Sequence, residues 1–269
     1  RAVNPEYREV ARTYTQGMDL NIIGDGEPEL SLTGLGTLID DDTACVVTQV
    51  PDFLGDIPDL AEVQQLADMV HGAGALLVVS ANPISLGLLK PPGEYGADIV
   101  VGEGQLLGTL LSLAGPYLGF FACRKAHVRR MAGRLVGMTV DVEDKRGFVL
   151  TLATREQHIR RGRATSNICT NQALNALAAG VYMAAMGPSG LRAIASLCYH
   201  KAHYTASLVD ALPGYEVLSD HFFHEFVVRC PKPVSEITQK LLDANIIAGY
   251  DLQQEYPELG DSMLICVTE

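Results

Sequence analysis

Apolar and polar positions along the chain fall into two periods. "NPEYREVARTYTQG" opens on Asn4-Pro5, keeps helical spacing and reaches Gly17, which predicts a helix with a glycine stop. "DLNIIG" predicts a strand, and "TACVVTQV" a second one closed by Pro51. Behind an Asp59 cap, "DLAEVQQLADMVHGAG" places Leu60, Val63, Leu66, Ala67 and Val70 on one helical face and stops at Gly72. "ALLVVS" is apolar without alternation, the pattern of a strand covered on both faces. "ADIVVG" and "YLGFFA" predict two further strands.

Strands and helices joined by links of a few residues predict an α/β fold with βαβ units and a mostly parallel sheet. Ligands of such sheets lie beyond the carboxyl ends of the strands, so Ser80–Ser85, Gly102–Gly108 and the Gly115-Pro116 turn become candidate positions. Near Thr165 the texture changes. "NQALNALAAGVYMAAMG" predicts a helix ending at Gly187, and Pro188 starts another that runs to Pro213-Gly214. A compact α/β unit follows, with strands at "EFVVRC" and "SMLICVT" around the amphipathic helix "PVSEITQKLLDANI". The expected division is residues 1–164 as part of a large parallel-sheet domain and 165–269 as connecting helices with a small C-terminal domain.

Composition narrows the classes. The chain is 48% hydrophobic with a mean hydropathy of +0.14, yet its apolar runs are far shorter than the roughly 20 residues a membrane helix needs. No charged start followed by an apolar core marks a secretory leader. Six scattered cysteines (Cys45, Cys123, Cys169, Cys198, Cys230, Cys266) have no paired spacing, so free thiols in a reducing, cytoplasmic setting are expected. Only the His200/His203 and His221/His224 pairs have any ligand-like spacing, and no metal site is expected from them.

The net charge of −12 argues against nucleic acid as a partner. The charge is uneven, however. Arg124 to Arg163 carries eleven of the twenty cations against four acids, so this segment is +7 and the remainder is −19. Its densest part is "TREQHIRRGRATSN", with Arg155, His158, Arg160, Arg161 and Arg163 ahead of Thr165, Ser166 and Asn167. Three readings stay open for it: a solvated charged face, an arginine-rich subunit interface, or an anion site. Its order favours the last two, because hydroxyl and amide groups before the long apolar helix are expected to cap its start, where dipole and free N–H groups hold anions. Cys169 beside these arginines reads as a small residue at a crowded helix start. Neither a phosphate loop, nor a complete dinucleotide fingerprint, nor a GxSxG nucleophile elbow is present.

The same segment carries a resemblance. "GRLVGMTVDVEDKRGFVLTLATREQHIRRGRATSNICTNQALNALAAGVYMAAMGPSGL" closely resembles the P-protein of the glycine cleavage system, the decarboxylating glycine dehydrogenase, and most of all subunit 1 of its two-subunit bacterial form. "NPEYREVARTYTQG", "ADMVHGAGALLVV", "GADIVVGEGQ" and "GPYLGFFAC" fit the same subunit. The resemblance implies a pyridoxal-phosphate (PLP) enzyme of fold type I, the aspartate-aminotransferase-like fold. It implies glycine as substrate, with the cofactor ring as electron sink while CO₂ leaves. It implies transfer of the aminomethyl group to the lipoyl arm of the H-protein.

A chain of this fold that carries the cofactor needs a strand-end Asp for the pyridine nitrogen and a Lys some twenty-odd residues later for the Schiff base. Here "ALLVVS" ends in Ser80, and no lysine occurs between Pro91 and Arg124. Lys90 comes too early and Lys125 too late. Ser80, Asn82, Glu103 and Gln105 therefore read as degenerate cofactor-site positions. The resemblance then implies a non-catalytic partner: PLP sits in the complex on the catalytic P-protein subunit 2, with none bound covalently here. The basic stretch would face that subunit or the acidic H-protein. Two alternatives remain, an independent PLP-dependent aminotransferase or desulfurase and a purely structural binding subunit. The family subunit is longer at both ends, so this chain is expected to be a fragment.

Overall fold

The computed structural model describes all residues except Arg1 and residues 25, 27–29, 113–114 and 167–171. Helix α1 (Pro5–Thr15) starts where the Asn4 side chain accepts the Glu6 N–H and Pro5 occupies the first turn. Helix α2 (Leu32–Gly36) is capped by Ser31, whose hydroxyl accepts the Gly34 N–H. The chain then enters β1 (Cys45–Val50), crosses through α3 (Leu60–Gly72), and returns in β2 (Leu76–Ala81) and β3 (Ile99–Glu103). These strands and β4 (Gly119–Cys123) form one sheet in the order β1-β2-β3-β4.

The β1/β2 and β2/β3 pairs are parallel, and β4 runs antiparallel to β3, with Ile99 opposite Cys123 and Glu103 opposite Gly119. The sheet is thus mostly parallel, as expected from the sequence, with β4 as an antiparallel edge. The described residues between Glu103 and Gly119 hold no helix, so nothing carries the chain back to the far end before "GFFAC" begins. "DLNIIG" is not a strand. Leu20, Ile22 and Ile23 are exposed and meet no pairing edge among the described residues, and apolar β-formers without a neighbouring strand stay irregular.

Helix α3 shows how the sequence period becomes a core. Asp59 accepts the Ala61 N–H at its start, and its buried face (Val63, Leu66, Ala67 and Val70) packs on Val46, Leu77 and Val79 of the sheet. Each buried Val or Leu among them contributes about 1.5–3 kcal/mol by leaving water. At the amino end of β3, Asp98 ties this layer together. Its buried carboxylate accepts from the Leu77 N–H at 2.9 Å and pairs with His71 at 2.8 Å and Arg124 at 3.6 Å.

A hairpin of β5 (Leu135–Val140) and β6 (Arg146–Thr151) follows as a separate two-stranded sheet, then the short α4 (Gln157–Arg160). Neither hairpin strand was expected from the sequence, although the alternation Val136, Met138, Val140 before the acidic turn is a readable signal. Helix α5 (Ala173–Asp210) is continuous except at Gly187, which takes φ 61° and ψ −178° just before Pro188. The break the sequence predicts is thus a kink at a Gly-Pro step. A second sheet in the order β7-β8-β10-β9 is all antiparallel, built from β7 (Glu216–Val217), β8 (Glu225–Arg229), β9 (Tyr250–Asp251) and β10 (Ser262–Cys266), with α6 (Val234–Asp243) between β8 and β9. Helix α5 joins the two sheets. Ala179 and Ala195 pack with Ile84 and Leu107 beyond the first sheet, whereas Ala202 and Ala206 pack with Phe222, Phe226 and Val228 of the second.

Candidate functional site

The carboxyl ends of β1, β2 and β3 point toward α5 and the second sheet, the position where parallel sheets bind ligands. Ser80 lies in β2 between Gln49 of β1 and Val101 of β3, and its side chain is buried. A neutral hydroxyl there offers hydrogen bonds but no fixed negative charge. Two residues on, Asn82 closes a turn: its Oδ1 accepts the N–H groups of Ile84 at 2.9 Å and Ser85 at 3.3 Å. That leaves the Asn82 amide nitrogen as a donor toward His224 Nε2, 2.8 Å away at the start of the second sheet.

This contact fixes the imidazole tautomer. Nε2 accepts from Asn82, so the ring proton sits on Nδ1 and points at Cys266 Sγ, 3.3 Å away. Burial pushes His224 down to about 4, so the ring is neutral. Burial also pushes the Glu225 carboxyl up to about 7, and partial desolvation and the Glu225 charge raise the thiol of Cys266, which keeps solvent exposure. Donor atoms of His224, Glu225 and Cys266 lie within 4.8 Å of one another. The set does not form a ligand cluster as it stands, because the imidazole nitrogen facing it carries a proton that Asn82 will not let move to Nε2. Tyr7 on α1 reaches the same region, its hydroxyl pushed up by burial and by Glu103, Glu6 and Glu225.

Glu103 ends β3 and accepts from the N–H groups of Gln105 and Leu118 at 2.9 and 3.2 Å. The Gln105 amide in turn donates to the Thr109 carbonyl. Glu103 also borders a cleft of about 500 Å³ whose other walls include Tyr117, Leu118 and the first turn of α5 at Gln172, Ala173 and Ala176. Ser80, Asn82, Glu103 and Gln105 therefore share one end of the sheet.

The basic candidates divide. Arg155 is buried and turned inward, its guanidinium donating to the carbonyls of Met131 and of Gly133 (2.6 Å) and pairing with Glu156 at 2.9 Å. It clamps the base of the hairpin and does not offer its guanidinium to an anion. His158, Arg160, Arg161 and Arg163 are exposed. Thr165 is exposed and Ser166 half-buried, and neither caps α5, which begins at Ala173 with Gln172 at its N-cap position. Asn167 and Cys169 lie outside the described residues. The sequence reading missed His224, Glu225, Cys266 and Tyr7, which long-range folding brings to the strand ends. The His221/His224 pair was visible, but its partner Asn82 is 142 residues away.

The sequence matches the family described as glycine cleavage system P-protein over residues 1–269. It is 53% identical to the Thermomicrobium roseum protein named "Probable glycine dehydrogenase (decarboxylating) subunit 1", over 99% of this chain and 60% of that protein. The chain thus spans about 60% of the length of the curated relatives it matches. Among solved structures, glycine decarboxylase (P-protein) of the glycine cleavage system, in inhibitor-bound form, superposes with a TM-score of 0.89 at 40% identity, covering 100% of this chain and 60% of that one. A PLP-dependent aminotransferase from Streptococcus suis gives a TM-score of 0.59 at 15% identity over 91% of this chain and 58% of the other, a likeness of fold alone. The architecture is that of PLP-dependent enzymes of fold type I, and the chain belongs to the glycine cleavage system P-protein family.

Proposed function

We propose that this chain acts as subunit 1 of glycine dehydrogenase (decarboxylating), the partner of a catalytic second subunit that supplies the reactive lysine and holds PLP. The assembled enzyme removes CO₂ from glycine and passes the aminomethyl group to the lipoyl arm of the H-protein. The observation that carries this reading is the placement of the lysines: all six (Lys90, Lys125, Lys145, Lys201, Lys232 and Lys240) are exposed. Lys125 follows β4, whose last residue Cys123 stands opposite Ile99, so it lies at the end of the sheet away from Glu103. With Ser80 at the strand end, the residues of this chain do not fit a covalently held PLP. We read residues 1–164 as part of the large domain and 165–269 as connecting helices and the small one, working in the cytoplasm. No helix among the described residues is long and apolar enough to cross a membrane.

Mixing purified chain with the second subunit, PLP and lipoylated H-protein tests the reading. Isotope exchange between glycine carboxyl and bicarbonate is expected only when both subunits are present. Exchange by this chain alone would favour an independent PLP enzyme, and full exchange by the second subunit alone would leave this chain a binding subunit.

A further inference from the structure

The turn after β1 and the entry to β8 bond each other directly and so join the two sheets. The Ile57 N–H donates to the His221 carbonyl at 2.7 Å, the Phe223 N–H donates to the Gly55 carbonyl at 3.4 Å, and Asp56 bridges Phe222 in antiparallel fashion. The approach demands glycine: Gly55 takes φ +94°, and a Cβ there would collide with the Glu225 carbonyl. One side chain shapes this turn. Asp52 Oδ1 accepts the N–H groups of Leu54 and Asp56, each at 2.9 Å, while its backbone bonds the Asp56 carbonyl at 2.9 Å and the Gly55 N–H at 3.1 Å. These bonds aim Gly55 and Asp56 at β8.

The joint is rich in acids and short of cations. Asp52 lies beside Asp56, Asp220 lies beside Asp56 from the facing segment, and Glu225 opens β8. No arginine or lysine pairs with any of the four among the described residues. The Ser219 hydroxyl and the exposed His221 ring face Asp56 and favour its charge. From α1, Glu6 and Tyr7 approach Glu225 and bring no positive charge, and His224 beside it is neutral. Phe53, inside the turn, stacks on Tyr256 and meets Tyr250 edge-on, with Asp251 and Glu255 beyond. Burial and the Asp56 charge push the Asp52 carboxyl up to about 7, against backbone N–H groups that favour its ionised form.

We infer that the 52–57 turn is a proton-operated clasp: with a proton on Asp52 it holds the second sheet against the strand ends of the first, and loss of that proton loosens the hold. The neutral carboxyl keeps an oxygen for the turn and leaves Asp56 as its lone charge. The ionised one sets two carboxylates side by side. Opening moves the entry to β8, with His224 and Glu225, relative to Asn82, so the candidate site follows the clasp. The sign follows from where the proton is held. An open turn exposes Asp52 to water and lets it ionise in the ordinary carboxylate range, whereas the closed turn keeps the proton to about 7. The clasp is therefore tightest at low pH and weakens as pH rises to about 7, where the loss levels off.

Hydrogen exchange in the complete polypeptide, corrected for the intrinsic pH dependence of amide exchange, reads this opening at residues 53–58 and 219–226. Between pH 6 and pH 8 exchange there should rise about ten-fold in wild type, while the β2 amides (76–81) stay unchanged. In Asp52→Asn, whose amide oxygen still accepts from the turn without a charge, the rise should fall below about three-fold. Asp56→Asn serves if that variant folds poorly, because removing the neighbouring charge should cut the wild-type rise to about half or less. No rise in wild type overturns the inference and would mean that a cation from elsewhere in the polypeptide already keeps Asp52 ionised. A rise that survives in Asp52→Asn and disappears in Glu225→Gln also overturns it, by moving the proton to Glu225. Equal acceleration in β2 would make the change a global unfolding and end the clasp reading.

Discussion

The Asn82 amide nitrogen lies 2.8 Å from His224 Nε2, and this bond joins the carboxyl end of the first sheet to the start of β8 in the second. Because Oδ1 of the same amide accepts the Ile84 and Ser85 N–H groups, Asn82 cannot flip without abandoning its turn. Replacing Asn82 with Ala should cost about 1–3 kcal/mol, since it strips a buried imidazole nitrogen and two backbone donors of their partner. Chemical denaturation of wild type and Asn82→Ala at neutral pH measures the difference. Asn82→Asp should instead place a carboxylate on Nε2 and raise the His224 pKa from its value of about 4, visible as a shifted imidazole titration by NMR.

Stability should depend on pH in two opposite senses. Burial raises Asp52 to about 7, so the folded chain keeps a proton that the unfolded chain releases above the ordinary carboxylate range. The resulting stability is complete below that range and is lost as pH rises to about 7. Asp52 Oδ1 accepts from the Leu54 and Asp56 N–H groups, and an Asn oxygen can do the same. Asp52→Asn should therefore stabilise the chain at pH 8 by on the order of 1–2 kcal/mol and give no gain at pH 4. Denaturant midpoints at the two pH values check this. His224 works in the other direction, since its neutral buried ring loses stability as pH falls from about 6.5 toward 4.

Asp98 is the acid-sensitive tie at the amino end of the sheet. Burial alone would raise its carboxyl, but the Leu77 N–H, His71 and Arg124 outweigh that and hold it below the usual carboxylate range. Its contribution is present above that range and disappears as pH falls through it. Asp98→Asn should destabilise by about 2–4 kcal/mol, because a neutral amide in this buried position loses the Arg124 ion pair and weakens the bonds to the Leu77 N–H and His71. Thermal unfolding near pH 7 should show the loss, shrinking as the pH approaches 3.

Arg155 and its neighbours should separate cleanly. Arg155→Met removes the clamp on Met131 and Gly133 and should destabilise by about 1–3 kcal/mol, with exchange in 135–151 accelerated. Changing Arg160, Arg161 and Arg163 together to Ala should alter stability by less than about 0.5 kcal/mol, as exposed side chains do, while weakening assembly and turnover with the second subunit. Calorimetry and co-purification read the two effects separately.

Much of this fold is legible because short-range signals decide it. The Asn4-Pro5 start, the Asp59 cap and the Gly187-Pro188 break each specify local backbone, and α3 advertises its buried face by period. The direction of β4 is not legible, since it depends on what a loop between Glu103 and Gly119 fails to do. "DLNIIG" misleads because strand propensity is realised only against another edge. For the site, Ser80 and the lysine-free window are local and readable. The Asn82–His224–Cys266 chain is assembled across 184 residues of sequence and leaves no spacing signature. Arg155 misleads for a related reason: four arginines and a histidine in one stretch look alike in sequence, and only folding buries one and leaves the others exposed.

The central claim is that no amine of this chain stands where vitamin B6 aldehyde must condense. Incubating the protein with pyridoxal phosphate, reducing with borohydride and mapping the peptides by mass spectrometry tests it directly. The account predicts no saturable, stoichiometric pyridoxyl label on any of the six lysines, with a label on the second subunit when both are present. A stoichiometric label on one lysine of this chain, accompanied by an absorbance band of the bound coenzyme, would contradict it.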